Sequence, residues 1–119
     1  MESNFPLYIL YTSGTTGKPK GIYRAHGDTA VGVNASLKYG FGFEKNQTIF
    51  ASSDFGWVVG HSYIVYGPLM RGGTSVIYEG KPIGTPDCGA YFEIIQRLKV
   101  NVFYTSPSAV RSIRKEDPD

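Results

Sequence analysis

Residues 11 to 21 read Tyr-Thr-Ser-Gly-Thr-Thr-Gly-Lys-Pro-Lys-Gly, a polar run that lies between two apolar segments. The preceding residues 5 to 12 are apolar and aromatic and predict a buried strand. Residues 21 to 24 predict a second, short strand after the run. The first strand would hold the loop at the end of a sheet, which is where α/β folds usually bind their ligands.

The composition of this loop indicates an anion-binding site. Gly14 and Gly17 permit positive φ and let backbone N–H groups approach a ligand. Hydroxyl side chains add hydrogen-bond donors, and two lysines add positive charge. The predicted phosphate-binding residues are Thr12, Ser13, Gly14, Thr15, Thr16, Gly17, Lys18 and Lys20.

A polar hairpin turn and a Walker loop are the two alternatives to this interpretation. A polar hairpin turn between two strands has a similar composition. The Walker loop needs four residues between its glycines and Ser or Thr after its lysine. Here two residues separate Gly14 from Gly17, and Pro19 follows Lys18, so a P-loop kinase or GTPase is not expected.

Strands and helices alternate along the rest of the chain, which predicts an α/β fold with a largely parallel sheet. Residues 56–70 are apolar nearly all round and predict either a buried helix or an irregular wall segment. Asp87 and Ser106 are the predicted helix caps. Strands are predicted at residues 47–51, 74–78 and 100–105, and helices at residues 26–39, 91–98 and from 107 onward.

Composition and charge exclude several kinds of protein. The 119 residues carry a net charge of +2 with scattered basic residues, which does not suggest a nucleic-acid partner. Cys88 is the only cysteine, so neither an internal disulfide nor a cysteine-based zinc site is expected. The longest charge-poor stretch is shorter than the ~20 residues of a membrane-spanning helix, so no membrane partner is expected. The first predicted strand begins almost at the first residue, and the chain stops soon after the last predicted helix begins. This favours a segment of a larger domain over a complete small domain.

Four stretches resemble the AMP-forming acyl-CoA synthetases of the adenylate-forming superfamily. Residues 11–21 match the signature loop of that family without a gap. Residues 53–69, Ser-Asp-Phe-Gly-Trp-Val-Val-Gly-His-Ser-Tyr-Ile-Val-Tyr-Gly-Pro-Leu, resemble the acetyl- and propionyl-CoA synthetase branch. Residues 78–90 are closer to the propionyl-CoA type. Residues 103–111 resemble the family run Phe-Tyr-Thr-Ala-Pro-Thr-Ala-Ile-Arg, with Ser106 in place of the first Ala.

The resemblance implies that residues 1–119 are a segment of the large N-terminal AMP-binding domain, without the mobile C-terminal domain. It implies a ligase that uses ATP, Mg²⁺ and coenzyme A. A short carboxylic acid, propionate and also acetate, would attack the α-phosphate of ATP to give acyl-AMP and pyrophosphate. The thiol of coenzyme A would then displace AMP. The expected partners are these small molecules and the remainder of the parent chain.

Catalytic residues are expected outside this segment, so the isolated segment is expected to be inactive. The expected compartment is the mitochondrial matrix in a eukaryote and the cytoplasm otherwise. Two alternative functions stay open at this point. One is a non-catalytic module that binds a nucleotide or polyphosphate and has kept only the loop. The other is a different adenylating ligase of the same superfamily.

The resemblance also assigns residues around the acyl group. Trp57, Val58 and Val59 match residues that line the short acyl pocket, and Ser106 falls beside the pantetheine tunnel of coenzyme A. Trp57 could instead be a core residue. Val59 stands where acetyl-CoA synthetases usually have Thr, a change that lowers polarity more than it changes volume. His61 is expected to be a hydrogen-bonded structural histidine.

We expect Gly14→Val to lower the adenylation activity of the full-length protein by orders of magnitude, because a side chain would stand where the backbone must approach phosphate. The measurement is exchange of labelled pyrophosphate into ATP by the purified variant. Exchange close to the wild-type rate would remove the loop from the mechanism.

Overall fold

The computed structural model describes residues 1–13 and 17–118 of the chain. It confirms the predicted α/β fold, with strands and helices alternating after an initial hairpin. The elements are β1 (Pro6–Thr12), β2 (Lys20–Ala25), α1 (His26–Ala35), β3 (Thr48–Ala51), α2 (Val58–Gly60), α3 (Gly67–Met70), β4 (Thr74–Ser75), α4 (Ala90–Arg97), β5 (Val102–Tyr104) and α5 (Pro107–Glu116). Two π-helical segments complete them: Ser36–Gly40 continues α1, and His61–Tyr66 joins α2 to α3.

Three strands form the parallel sheet that the alternation predicts, in the order β4-β3-β5. Strand β3 lies in the middle, where Ile49 pairs with Ser75 on one side and with Val102 on the other. The strand predicted over residues 74–78 is shorter than expected. Regular pairing ends at Ser75, although the N–H of Val76 still donates to the carbonyl oxygen of Ile49 at 2.9 Å.

Helices cover both faces of this sheet. Ile49 and Phe50 are neighbours in β3, so their side chains point to opposite faces. Ile49 packs with residues of α1 and of the segment that follows it, namely Val33, Leu37 and Phe43. Phe50 packs with residues of β4's end, α4 and α5, namely Val76, Tyr91, Ile94 and Ile113. The sheet is therefore the middle layer of three.

The first two strands form a separate antiparallel hairpin, in which Tyr8 pairs with Arg24 and Thr12 with Lys20. The prediction of a buried first strand is wrong: Ile9 is 59% exposed and Tyr11 is 70% exposed. A two-stranded ribbon has no neighbouring strands to cover its edges. The face that carries Ile9 and Tyr11 is not covered by any of the described residues. The alternative that the loop is a turn between two strands is therefore confirmed as far as the strands are concerned. The pairing of the strands does not test whether the loop binds phosphate.

The two predicted helix caps have different outcomes. Ser106 caps α5 as predicted, because its Oγ accepts a hydrogen bond from the N–H of Ala109 at 3.1 Å. Asp87 does not cap α4, which begins at Ala90. Its carboxylate instead accepts from the N–H of Gly89 at 2.8 Å, a local turn that competes with capping.

The apolar run over residues 56–70 is helical from Val58 to Met70 rather than an irregular wall. It is not the fully buried helix of the prediction, since Leu69 is 67% exposed. Gly67 marks its closest approach to α1. A Cβ built on Gly67 would lie 2.5 Å from Leu37 Cδ1, 2.5 Å from the carbonyl oxygen of Ser62 and 2.7 Å from Val33 Cγ1. No side chain larger than hydrogen fits there without movement of the helices. Gly67 therefore sets how closely this helical run packs on α1.

We expect Gly67→Ala to destabilise the full-length protein by about 1–3 kcal/mol, the usual effect of overpacking. Gly32→Ala is the matched control, since a Cβ on this helical glycine meets nothing within 4 Å. The control should be neutral or stabilising by up to about 1 kcal/mol. Thermal unfolding of the two variants measures both effects, and equal stability of the two would contradict the packing argument.

Candidate functional site

A crevice opens where the connections of the sheet diverge. The loop after β3 leads to α2 and the π-helical segment, which packs through Tyr63 on the Ile49 side of the sheet. The loop after β5 leads to α5, which packs through Ile113 on the Phe50 side. Ligands of open α/β sheets bind at such a point, outside the carboxyl ends of the strands. The crevice has a volume of about 190 Å³ and is lined by Ser52, Ser53, Val59, Tyr104, Thr105, Ser106 and Pro107.

Hydroxyl groups hold the two walls of this crevice together. Ser52 Oγ donates to Thr105 Oγ1 at 2.6 Å, and the N–H of Ser52 donates to the carbonyl oxygen of Tyr104 at 2.9 Å. Ser106 Oγ lies 2.8 Å from Ser108 Oγ. The lining residues include no carboxylate, imidazole or ammonium group. The crevice can therefore bind and orient an uncharged chain, but its own lining supplies no general base.

The four residues predicted for the acyl and coenzyme A pocket do not all meet in this crevice. Val59 and Ser106 line it together. Val58 lines a different cavity, of about 140 Å³, between the hairpin and α1. Consecutive helical residues point about 100° apart, so Val58 and Val59 cannot face the same space.

Trp57 lies at the N-cap position of α2, and its side chain is 70% exposed. The interpretation of Trp57 as a core residue is wrong for the described part of the chain. Its assignment to the acyl pocket stays a prediction, because it lines neither the crevice nor the cavity beside Val58.

The predicted phosphate loop joins the two strands of the hairpin. Gly17 has a φ of +81°, which glycine adopts without the strain that a side chain would bring. Ser13, Lys18 and Lys20 are exposed around this end of the hairpin, so their hydroxyl and ammonium groups can reach a ligand there. Thr12, the last residue of β1, is also exposed. The other three predicted residues, Gly14, Thr15 and Thr16, lie outside the described residues.

The sequence did not predict an aromatic contact between the hairpin and the π-helical segment. The ring of Tyr8 in β1 contacts the rings of His61 and Tyr66, with centroid distances of 4.6 and 5.9 Å. Burial raises the pKa of the Tyr8 hydroxyl, which the nearby charge of Arg24 partly opposes. His61 is hydrogen-bonded as predicted, with Nδ1 3.1 Å from the carbonyl oxygen of Trp57. Periodicity gives no signal for this contact, because it joins a strand to a helical segment far along the chain.

A larger cavity of about 560 Å³ lies beside the carboxyl ends of β3 and β4. Its wall includes Tyr78 and Tyr91, which pack edge to face against Phe50. Burial raises the pKa of Tyr91, and a hydrogen bond with Ser52 partly lowers it. Tyr91 therefore stays a neutral phenol near pH 7, with the polar end of its ring close to the crevice.

Over residues 1–13 and 17–118, no three His, Cys, Asp or Glu side chains come together as a metal site. None of the helices described in the same ranges is long and apolar enough to cross a membrane.

Comparison with known proteins gives concordant matches over nearly the whole chain. The family model described as "AMP-binding enzyme" matches residues 1–119. The human mitochondrial acyl-CoA synthetase short-chain family member 3 is 54% identical over 116 residues, which are 98% of this chain and 17% of the relative. The acetyl-coenzyme A synthetase of Leptospira biflexa is 46% identical over 116 residues, 98% of this chain and 18% of the relative.

A solved structure shows the same fold. The acetoacetyl-CoA synthetase from Streptomyces lividans superimposes with a TM-score of 0.86 at 32% identity, over 97% of this chain and 17% of that one. The chain thus spans about a sixth of the length of the proteins that it matches.

We expect Ser106→Ala to destabilise the full-length protein by about 1 kcal/mol, because α5 loses its N-cap acceptor. Ser108→Ala is the matched control: Ser108 Oγ contacts only Ser106 Oγ among the hydrogen bonds of the described residues, so its loss should cost less. Urea unfolding followed by circular dichroism compares the two. A larger loss in Ser108→Ala would show that the hydroxyl pair, and not the cap, stabilises this wall.

Proposed function

The chain belongs to the AMP-binding enzyme family, and we propose from this that its protein activates a short-chain carboxylic acid with ATP and transfers the acyl group to coenzyme A. The observation that carries the proposal is the crevice shared by Val59 and Ser106, where the sheet connections diverge. The names of relatives support it: several are called short-chain acyl-CoA synthetases, and one acetyl-coenzyme A synthetase.

The hairpin end would hold the phosphates of ATP. Thr12 and Ser13 supply hydroxyls before the undescribed part of the loop, and Lys18 and Lys20 supply positive charge after it. This donor set fits the β- and γ-phosphates, whose negative charge must be stabilised while pyrophosphate leaves. Magnesium would arrive with ATP, since this ion usually keeps several waters and needs few protein ligands.

The crevice would take the acyl group and the arm of coenzyme A that approaches it. Ser106 and Thr105 offer hydroxyls that suit the amides of a pantetheine chain. The absence of charge from the crevice lining also favours a neutral chain over a phosphate. The acid and the thiol would then meet at the carboxyl ends of β3 and β5.

Val59 gives this crevice an apolar wall, from which we propose a preference for propionate over acetate. One additional buried methylene contributes about 0.8 kcal/mol, and pockets discriminate a single methylene by roughly ten-fold or a little more. Acetate should therefore remain a substrate. From the resemblance of residues 53–69 to short-chain acyl-CoA synthetases, we also propose that the indole ring of Trp57 sets the upper length limit of the acid.

We also propose a compartment from the names of the relatives. The animal and Dictyostelium relatives are called mitochondrial, which supports the mitochondrial matrix if the source is a eukaryote. For a bacterial source the corresponding compartment is the cytoplasm.

For the full-length protein, we expect kcat/KM for propionate to exceed that for acetate by about ten-fold or a little more. Butyrate should follow, and hexanoate should be poor. Val59→Thr should reduce the preference for propionate, because it restores a hydroxyl at nearly constant volume. The measurement is acyl-CoA formation with each of the four acids at saturating ATP and coenzyme A.

A second variant tests the length limit. Trp57→Gly should shift the best acid towards longer chains, whereas Val59→Thr should leave the limit unchanged. An unaltered length profile in Trp57→Gly would show that Trp57 does not wall the pocket. Hexanoate as the best wild-type substrate would refute the short-chain assignment as a whole.

A further inference from the structure

The side chain of Tyr8 connects the hairpin to the π-helical segment His61–Tyr66, which follows the crevice-lining residue Val59. Its ring is stacked on that of Tyr66 with an interplanar angle of 1°, and the ring of His61 lies on it with a tilt of 33°. Such aromatic pairs are attractive beyond the area that they bury. Within the described residues, the hairpin is thus held at this point by two rings of one helical segment.

The π-helical winding explains how two rings of one segment reach the same tyrosine. His61 and Tyr66 are the first and last residues of the π-helical segment. Hydrogen bonds from residue i to i+5 place residues five apart on one face, as residues three or four apart are in an α-helix. Single π-helical turns are rare and occur frequently at functional sites. A regular α-helix here would turn one of the two rings away from Tyr8.

His61 also makes a hydrogen bond to the backbone of Trp57. Its Nδ1 lies 3.1 Å from the carbonyl oxygen of Trp57, and its backbone N–H donates to the same oxygen at 3.3 Å. The ring nitrogen must carry a proton to make this bond to a carbonyl. Trp57 immediately precedes α2, whose second residue is Val59. One imidazole therefore touches the hairpin with its face and the start of the crevice segment with its nitrogen.

We propose that His61 is a positioning residue that couples the phosphate loop to the acyl crevice. The proposal rests on the proposed function for its chemistry, but its geometry stands on the contacts of His61 alone. The ring fixes Tyr8, which lies on the strand that ends at the loop residue Thr12. The nitrogen fixes Trp57, and with it the direction in which Val59 enters the crevice. Neither contact places His61 on a reacting atom.

Two substitutions separate the two contacts. His61→Phe keeps a ring against Tyr8 and removes the hydrogen bond, whereas His61→Asn keeps a donor near the position of Nδ1 and removes the ring. In the full-length enzyme, His61→Asn should raise KM for ATP by about two- to ten-fold, the size of one aromatic pair interaction, and leave KM for propionate near the wild-type value. His61→Phe should show the reverse pattern.

Variants of Tyr8 provide the matched control. Tyr8→Phe retains the ring and should leave both KM values within about two-fold of wild type. Tyr8→Leu should raise KM for ATP at least as much as His61→Asn does, because it removes the contact with Tyr66 as well as that with His61. The double variant Tyr8→Leu/His61→Asn should be no worse than Tyr8→Leu alone, because Tyr8→Leu already removes the contact that His61→Asn removes. Multiplicative effects in the double variant would overturn the proposal.

A role in stability alone would lower the active fraction, and therefore kcat, with both KM values unchanged; that result would also overturn the proposal. Hydrogen–deuterium exchange keeps the test independent of the reaction. His61→Asn should speed exchange in peptides spanning residues 6–13 and 17–25 more than His61→Phe does. Equal exchange in the two variants would refute the coupling. Failure of the wild-type protein to use any acid would instead refute the proposed function, and exchange would still decide the coupling.

Discussion

Burial of β3 on both faces is the constraint on which the other elements depend. Ile49 and Phe50 are almost completely buried on opposite sides of one short strand. Each such side chain contributes roughly 1.5–3 kcal/mol when it is removed from water. The strand can keep both only if helices cover both faces and strands flank both edges. This requirement fixes where β3 ends, and so where Ser52 meets the wall formed by β5.

The crevice is a consequence of that requirement rather than of a dedicated loop structure. Because α2 and α5 belong to opposite layers, the chain must leave β3 and β5 in opposite directions. The space between the two exits is then bridged by the hydroxyls of Ser52 and Thr105. The hairpin stands outside this framework: two-stranded ribbons are marginally stable alone, so its orientation depends on side-chain contacts such as that of Tyr8.

Much of the fold was predictable because helices and strands with one buried side have periodic sequences. The helix predicted over residues 26–39 and the Ser106-Pro107 start of α5 rest on such local signals, and both predictions were confirmed. The exposure of the hairpin was not predictable, since an apolar strand sequence does not say what covers it. The π-helical winding between His61 and Tyr66 carries no periodic signal at all.

The candidate site was predicted only in part, because residues that are adjacent in sequence need not point into the same space. Motif matching identifies Val58 and Val59 as a pair because they are adjacent in sequence. Only the helix start at Val58 shows that the two side chains point into different spaces. Asp87 illustrates the same limit, because a residue that is suited to capping is equally suited to a turn, and the choice depends on where the following chain must go.

The order of the strands along the chain also affects how this segment folds while it is being synthesised. Strand β3 is made before both of its partners, and its pairing to β5 spans residues 53 positions apart. At about 5–20 residues per second, the central strand waits several seconds for that partner. During this interval Ile49 and Phe50 lie on a strand with open edges, which makes the nascent chain prone to association with other chains. The β3–β5 pairing is therefore expected to close late in the synthesis of this segment, when a chaperone that shields apolar strands would matter most.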